Sequence, residues 1–211
     1  MKKIMFNDKY GLTAAVLNGD KTMTRRIIPL TDADRDYLDN AFDWDLRESV
    51  IIDRYAQYEA GEIVAVAQSY ETLANSGYLG MMTVPADNDV GFEFKLEYCG
   101  GGYKNKMFVR ADLMPHHIEM TAVKIERLQD ISNEDSMREG VFKYAEPPLF
   151  HEFDPYSPWP PYVKPYKHDH DNLKYFCEAR FAFAHLIDRV SRIGMWNINP
   201  YILAYSFILI D

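Results

Sequence analysis

Gly19-Asp20-Lys21-Thr22-Met23-Thr24-Arg25-Arg26 is the stretch on which the fold turns. The glycine sits where a helix ends in a left-handed residue, and the residues after it have the character of a strand, so these eight positions mark a helix-to-strand corner. Lys21, Arg25 and Arg26 bring three cations, and Thr22 and Thr24 two hydroxyls, into six positions of a chain with 23 Lys+Arg against 32 Asp+Glu. Such grouping concentrates a positive potential that the rest of the molecule opposes. An anion or nucleotide pocket needs that.

Upstream of the corner, Asn7 or Asp8 caps a first helix whose Leu12, Ala15 and Val16 share one face. Downstream, Asp32 to Ala60 is rich in Asp, Arg and Tyr and reads as an irregular or partly helical insertion. Glu62 to Gln68 is a β-branched run after Gly61, a central strand. Glu71 to Gly102 carries the turn signals Asn75-Ser76-Gly77, Pro85-Ala86-Asp87-Asn88 and Gly100-Gly101-Gly102, as a decorated loop or hairpin insertion does. Lys106 to Arg110 reads as a strand. His117 to Gln129 reads as a longer one, with Ile118, Met120, Ala122 and Lys124 on one face and Glu119, Thr121, Val123 and Ile125 on the other. Ser132-Asn133-Glu134-Asp135 opens a short helix that ends at Gly140.

Val141 to Asp171 holds seven prolines and many aromatics, too much proline for regular structure and too many rings for a plain linker. Leu173 to Arg192 is the strongest helix, stopped by Gly194, and Tyr201 to Leu209 after Pro200 is a buried closing strand. Strands and helices that do not alternate as βαβ units give an α+β fold, a mixed sheet or small barrel with helices packed outside. A single domain over 1–211 is expected, with insertions at about 71–102 and 141–171.

At 47% hydrophobic, 26% charged and 14% aromatic residues, the chain should fold without a partner. The longest apolar run, Tyr201 to Ile210, is about half of what a bilayer crossing needs, and no basic apolar leader opens the sequence. A cytoplasmic protein without membrane contact is expected. Cys99 and Cys177 have no metal-like spacing and read as free thiols. A formal net charge of −9 argues against duplex DNA, which demands that several phosphates be neutralised together. A compact basic pocket for one nucleotide or a short single strand escapes that objection.

Lys21, Thr22, Thr24, Arg25 and Arg26 are the candidate nucleotide-binding residues. Their guanidinium and ammonium groups would grip phosphate or base edges, with a threonine hydroxyl near enough to a lysine to be activated. The competing reading is a solvated edge strand whose cations guard against aggregation. A regular strand puts Lys21 and Thr24 on opposite faces, so joint action requires Lys21 to lie in the turn before the strand. An unperturbed lysine stays charged at pH 7 by about 4.6 kcal/mol, so a base here also needs burial or cationic neighbours. Glu119, in mid-strand, is the candidate acid or holder of a base amino group; most strand glutamates face solvent. His116-His117 and His168-Asp169-His170-Asp171 invite a metal, yet such pairs are common in loops, and neither metal nor cofactor is expected. Tyr70 and Trp159 are candidates for base stacking or for ordinary packing. Trp196, Asn197 and Asn199 cap a helix end or line a pocket.

With these residues the chain resembles the ASCH domain family. The likeness lies in Gly19-x-Lys21-Thr22-x-Thr24-x-Arg26 after a helix, Gly61 before a strand, the strand around Glu119 leading into Leu128-Gln129-Asp130-Ile131, and the strand after Asn199-Pro200. These segments run through the whole chain but cover less than half of it. KMFVRADLMPH, ERLQDIS and Trp196-x-x-Asn199-Pro200 look like the longer phage-associated or bacterial members, whose function is unknown. The resemblance implies a PUA-like mixed β-barrel that binds RNA or a nucleoside in a cleft beside it. Some short bacterial members hydrolyse N4-acetylcytidine without metal, and carrying their roles across makes Lys21 the base, Thr24 the nucleophile and Glu119 the proton donor, with Arg26 in the cleft. Three functions are thus expected in turn: a nucleoside or single-stranded RNA binder, an amidohydrolase on N4-acylated cytidine, and a protein interaction module using 141–171.

Overall fold

The computed structural model describes residues 1–40, 43–77, 101–143, 162–163, 175–176 and 178–211. In chain order its regular elements are β1 (Lys2–Ile4), α1 (Leu12–Leu17), β2 (Met23–Ile27), α2 (Asp32–Asp39), α3 (Trp44–Tyr55), β3 (Ile63–Val66), α4 (Tyr70–Asn75), β4 (His117–Arg127), α5 (Asn133–Arg138), β5 (Phe142–Lys143), β6 (Tyr162–Val163), β7 (Tyr175–Phe176), α6 (Ala179–Val190), α7 (Met195–Ile198) and β8 (Tyr201–Leu209). Five strands form a mixed sheet in the order β1-β3-β4-β8-β2, and β5-β6-β7 form a second, antiparallel one. The fold is mixed α+β. The sheet order is linear, with β1 and β2 at its ends, and the described pairings do not close it into the barrel that the resemblance implies.

By contacts the chain divides into two compact units. The first is Met1–Phe6, Ile63–Glu119 and Leu209–Asp211. In it β1 runs parallel to β3, with Ile4 opposite Val66, and β3 pairs antiparallel with the start of β4, with Ile63 opposite Glu119. Val64, Ala65 and Val66 are buried in succession, as expected of an interior strand flanked on both sides. Its core gathers Ala65, Ala67, Tyr70, Leu73, Val109 and Met114. Tyr70 is therefore a packed aromatic, and its hydroxyl accepts from the Arg110 amide at 3.0 Å.

Lys106 to Arg110 is not a strand. Asn105 takes the Met107 amide at 2.9 Å and starts a 3₁₀ turn over Lys106–Phe108, while the Lys3 ammonium donates to the Met107 and Val109 carbonyls. Side chains thus hold polar backbone groups that a ladder would otherwise have used. Glu71 to Asn75 likewise belongs to a helix capped by Ser69, not to a loop.

The second unit is Asn7–Glu62 and Met120–Ile208. Asn7 caps only a 3₁₀ turn, Asp8–Tyr10; Gly11, at φ +67°, separates it from α1. The Asp-rich segment forms two helices, α2 capped by Thr31 and α3 by Asp43. Strand β2 lies antiparallel to β8, with Thr24 opposite Tyr205. Along β4 the buried side switches: Ile118 and Met120 are buried, then Ala122 and Lys124 are exposed and Ile125 is buried, so the uniform alternation read from the sequence breaks. Ser132 caps α5 through the Asp135 amide at 3.0 Å, a contact that typically contributes about 1 kcal/mol.

The long helix begins at Ala179, not Leu173, because Tyr175–Phe176 pairs as a strand. Regular pairing also enters the proline-rich segment, at β5 and β6. Apart from Val141, the rest of that segment, including His168, His170 and Trp159, lies outside the described residues, as do Cys99 and Cys177. Among the described residues, no helix is long and apolar enough to cross a membrane.

Candidate functional site

The Gly19–Arg26 corner lies wholly in the second unit. Helix α1 is followed by Asn18, whose amide bonds the Ala14 carbonyl, and by Gly19 at φ +78°. The Lys21 amide still reaches the Ala15 carbonyl at 2.9 Å. Lys21 therefore sits in the turn, two residues before β2 begins, where joint action with Thr24 requires it. Met23, Thr24 and Arg25 are all buried, and only then do Arg26 and Ile27 come to the surface.

Lys21 is 2% exposed, and its ammonium donates to the Met23 carbonyl at 2.7 Å, the Glu139 carbonyl at 2.9 Å and Glu139 Oε2 at 2.6 Å. The other carboxylate oxygen of Glu139 accepts from Arg25 Nη1 at 3.0 Å. Arg25 also bonds Glu126 Oε1 through Nε at 2.8 Å and Asp135 Oδ2 through Nη2 at 3.2 Å, and its guanidinium lies 5.8 Å from the Phe183 ring centroid. Lys124 extends the set, 2.8 Å from Glu126 and 3.4 Å from Asp135. Buried charge is tolerated only with partners of this quality.

These surroundings move the ionisations. Burial outweighs the attraction of Glu139 and holds Lys21 below the usual lysine value, with Arg26 and Arg25 adding to the depression. Arg25 is shifted the other way: burial opposes its charge, but Glu139 and Glu126 overcome that. Asp135 is lowered because Lys124 and Arg25 more than offset its burial.

Beside this network is a pocket of about 630 Å³, between the end of α1 and the end of α5. Ala14, Asn18, Gly19 and Asp20 form one wall with Thr22, and Met137, Arg138, Gly140 and Phe142 belong to the other. Arg138 Nε donates to Thr22 Oγ1 at 3.2 Å, and the Thr22 amide bonds the Arg138 carbonyl at 2.9 Å, so the two walls are stitched together. Gly140 has φ +94°, and a Cβ there would meet Leu12 Cδ2 at 3.5 Å and Lys21 Cδ at 3.6 Å. The Lys21 stem thus passes just behind this glycine, with its ammonium engaged by Glu139.

Of the sequence-predicted residues, Lys21 and Arg25 meet in one ion network, Thr22 lines the pocket, Thr24 is buried in β2 and Arg26 is exposed. Glu119 lies in the first unit, half-buried on β4. The carboxylate on Lys21 is Glu139. Sequence reasoning missed Glu139, Glu126, Asp135 and Arg138; the one local signal was the position of Glu139 between a capped helix and a glycine. Among the described residues, no group of three or more His, Cys, Asp or Glu could hold a metal ion. His117 Nδ1 instead lies 2.7 Å from Asp211 Oδ2, within the first unit. In the second unit, Asn199 Oδ1 takes the Gln129 amide at 2.8 Å, and Trp196 packs edge-on to Phe183, a structural corner. Comparison with models of known families, with curated proteins and with solved structures gives no significant match.

Proposed function

We propose that the chain is an ASCH-type protein that binds a nucleoside or short single-stranded RNA in the pocket at the α1–β2 corner. One observation carries this reading: the Gly19-x-Lys21-Thr22-x-Thr24-x-Arg26 motif borders a pocket of about 630 Å³ with Thr22 in its wall. The volume falls within the range, about 300–1,000 Å³, of small-molecule sites. The mixed five-stranded sheet supports the α+β class; the PUA-like barrel belongs to the resemblance. Titration calorimetry with the common ribonucleosides, N4-acetylcytidine and short RNA should show binding. Arg138→Ala with Thr22→Val should weaken it about three- to tenfold per hydrogen bond removed. Absence of binding to every one of these compounds overturns the proposal.

A second reading, the metal-independent amidohydrolase, is favoured by the burial that lowers Lys21 and by its place in the turn before β2. A lysine depressed this way is closer to serving as a base at neutral pH. In this reading substrate must first draw Lys21 away from Glu139. Release of cytidine from N4-acetylcytidine decides it, and no release under conditions where a known amidohydrolase works removes the enzyme.

A further inference from the structure

Four cations meet three carboxylates at the Gly19–Arg26 corner. Lys21, Arg25, Lys124 and Arg138 face Glu139, Glu126 and Asp135, so the network holds one positive charge more than its acids balance. A guanidinium does not give up its proton in a protein, which leaves the two lysines to relieve the excess. Lys124 is 46% exposed and keeps its hydration. Lys21, at 2%, is the member whose neutral form relieves both the excess charge and the lost hydration.

How firmly Lys21 holds its proton depends on Glu139, and Glu139 is shared. Its Oε2 takes Lys21 at 2.6 Å and its Oε1 takes Arg25 Nη1 at 3.0 Å. Arg25 is fixed from two further sides, by Glu126 Oε1 at 2.8 Å and Asp135 Oδ2 at 3.2 Å. The guanidinium therefore stays against Glu139 whatever Lys21 does. With Arg25 in place the carboxylate is already compensated, and Lys21 can lose its proton, or be drawn off by a ligand, without stranding a buried negative charge. With Arg25 gone, Glu139 would belong to Lys21 and hold it charged. The other charges near Lys21 act differently. Arg26 repels it from the exposed end of β2, Asp20 beside it in sequence is exposed and screened, and α1 has no charged residue from Leu12 to Leu17.

We infer that Arg25 is a positioning residue for Lys21: by occupying one oxygen of the Glu139 carboxylate it keeps the buried lysine able to give up its proton and act as a base. The inference rests on the reading in which Lys21 is the working group of the site, and it names what sets that group's protonation.

The test reads Lys21 directly and needs no substrate. In the full chain labelled with 13C-lysine, the Lys21 Cε resonance is assigned by its loss in Lys21→Met and followed through the alkaline titration by NMR. Arg25→Met should raise its midpoint, leaving on the order of tenfold less neutral amine at a given alkaline pH. That rise should persist at high salt, because the groups are buried, whereas a smaller rise in Arg26→Gln should fade there. Arg25→Lys returns a cation to Glu139 and should bring the midpoint back toward the natural value, which a role in packing alone would not do. Should Arg25→Met fail to fold, Arg25→Met with Glu126→Gln removes the cation together with one of its acids, while Asp135 keeps Lys124 and Arg138. Against Glu126→Gln alone, the same rise is expected. A midpoint that Arg25→Met leaves unmoved, or a rise no larger than that of Arg26→Gln, overturns the inference. If the protein releases cytidine from N4-acetylcytidine, the acid limb of kcat/KM should move to higher pH in the Arg25 variant. A raised midpoint with no cytidine released removes the enzyme reading and leaves this inference standing; cytidine released by a protein whose Lys21 ignores Arg25 does the reverse.

Discussion

The Lys21–Glu139–Arg25 network in the second unit and the Arg110–Asp112 pair in the first use the same functional groups at opposite extremes of exposure. The side chains of Lys21, Glu139 and Arg25 are 2%, 5% and 1% exposed, those of Arg110 and Asp112 69% and 59%. Water competes for the second pair at every moment, and its attraction is screened. In the network the same attraction has to replace lost hydration, so each group depends on the others. The contrast shows that a run of cations in a sequence reports neither a surface nor a binding site. What decides is whether acids from elsewhere in the chain come to cover it.

Removing the shared acid should have the largest effect. Glu139→Ala leaves Lys21 and Arg25 buried without the carboxylate they share, and should lower stability by about 3–5 kcal/mol in urea denaturation at neutral pH. A loss under about 1 kcal/mol would put the network on the level of a surface pair and break the contrast.

Lys21→Met should act less strongly, about 1–3 kcal/mol, because Arg25 still neutralises Glu139. It also sharpens the contrast through pH. Lys21 has a folded-state value below the roughly 10.4 of the unfolded chain, so between the two the unfolded state binds more protons. Stability therefore rises with pH across that window and levels off above the unfolded value. Measured from pH 7 to about 9.5, the natural protein should gain stability relative to Lys21→Met. A flat difference would mean that Lys21 keeps its ordinary ionisation inside the network. At the small end, Arg110→Ala should leave the melting temperature unchanged, since the Arg110 amide that bonds Tyr70 is retained. A clear drop would show that exposure alone does not grade these pairs.

Periodicity made the two long strands legible, but neither α3 nor the true start of α6. Strands β4 and β8 were bounded closely, β3 was placed after its glycine, and Ser132 announced α5, because each signal there is local: side-chain alternation, a β-branched run, a cap three residues from its amide. Where the deciding partner is remote, the reading failed. The strand-like character of Lys106 to Arg110 gave no warning that Lys3, over 100 residues earlier, would bind its carbonyls. Of the candidate site, the helix-to-strand corner after Gly19 was readable, whereas the turn position of Lys21 was only a condition that joint action with Thr24 would impose. Glu139, Glu126 and Asp135 were not readable, as nothing in an isolated carboxylate distinguishes a solvated side chain from one that ends beneath a guanidinium.

Time is another dimension of that network. Lys21 and Glu139 are separated by 118 positions, Arg25 and Glu139 by 114. Loops of that length close late, and until they do neither end can leave water without stranding a charge. On that ground the pairing should form late and contribute little to the transition state, so that the stability it gives would lie mainly in the barrier to coming apart. Stopped-flow kinetics of Glu139→Ala should show this as faster unfolding with nearly unaltered folding. The corner would then act as a latch, setting how long the folded molecule lasts far more than how quickly it forms.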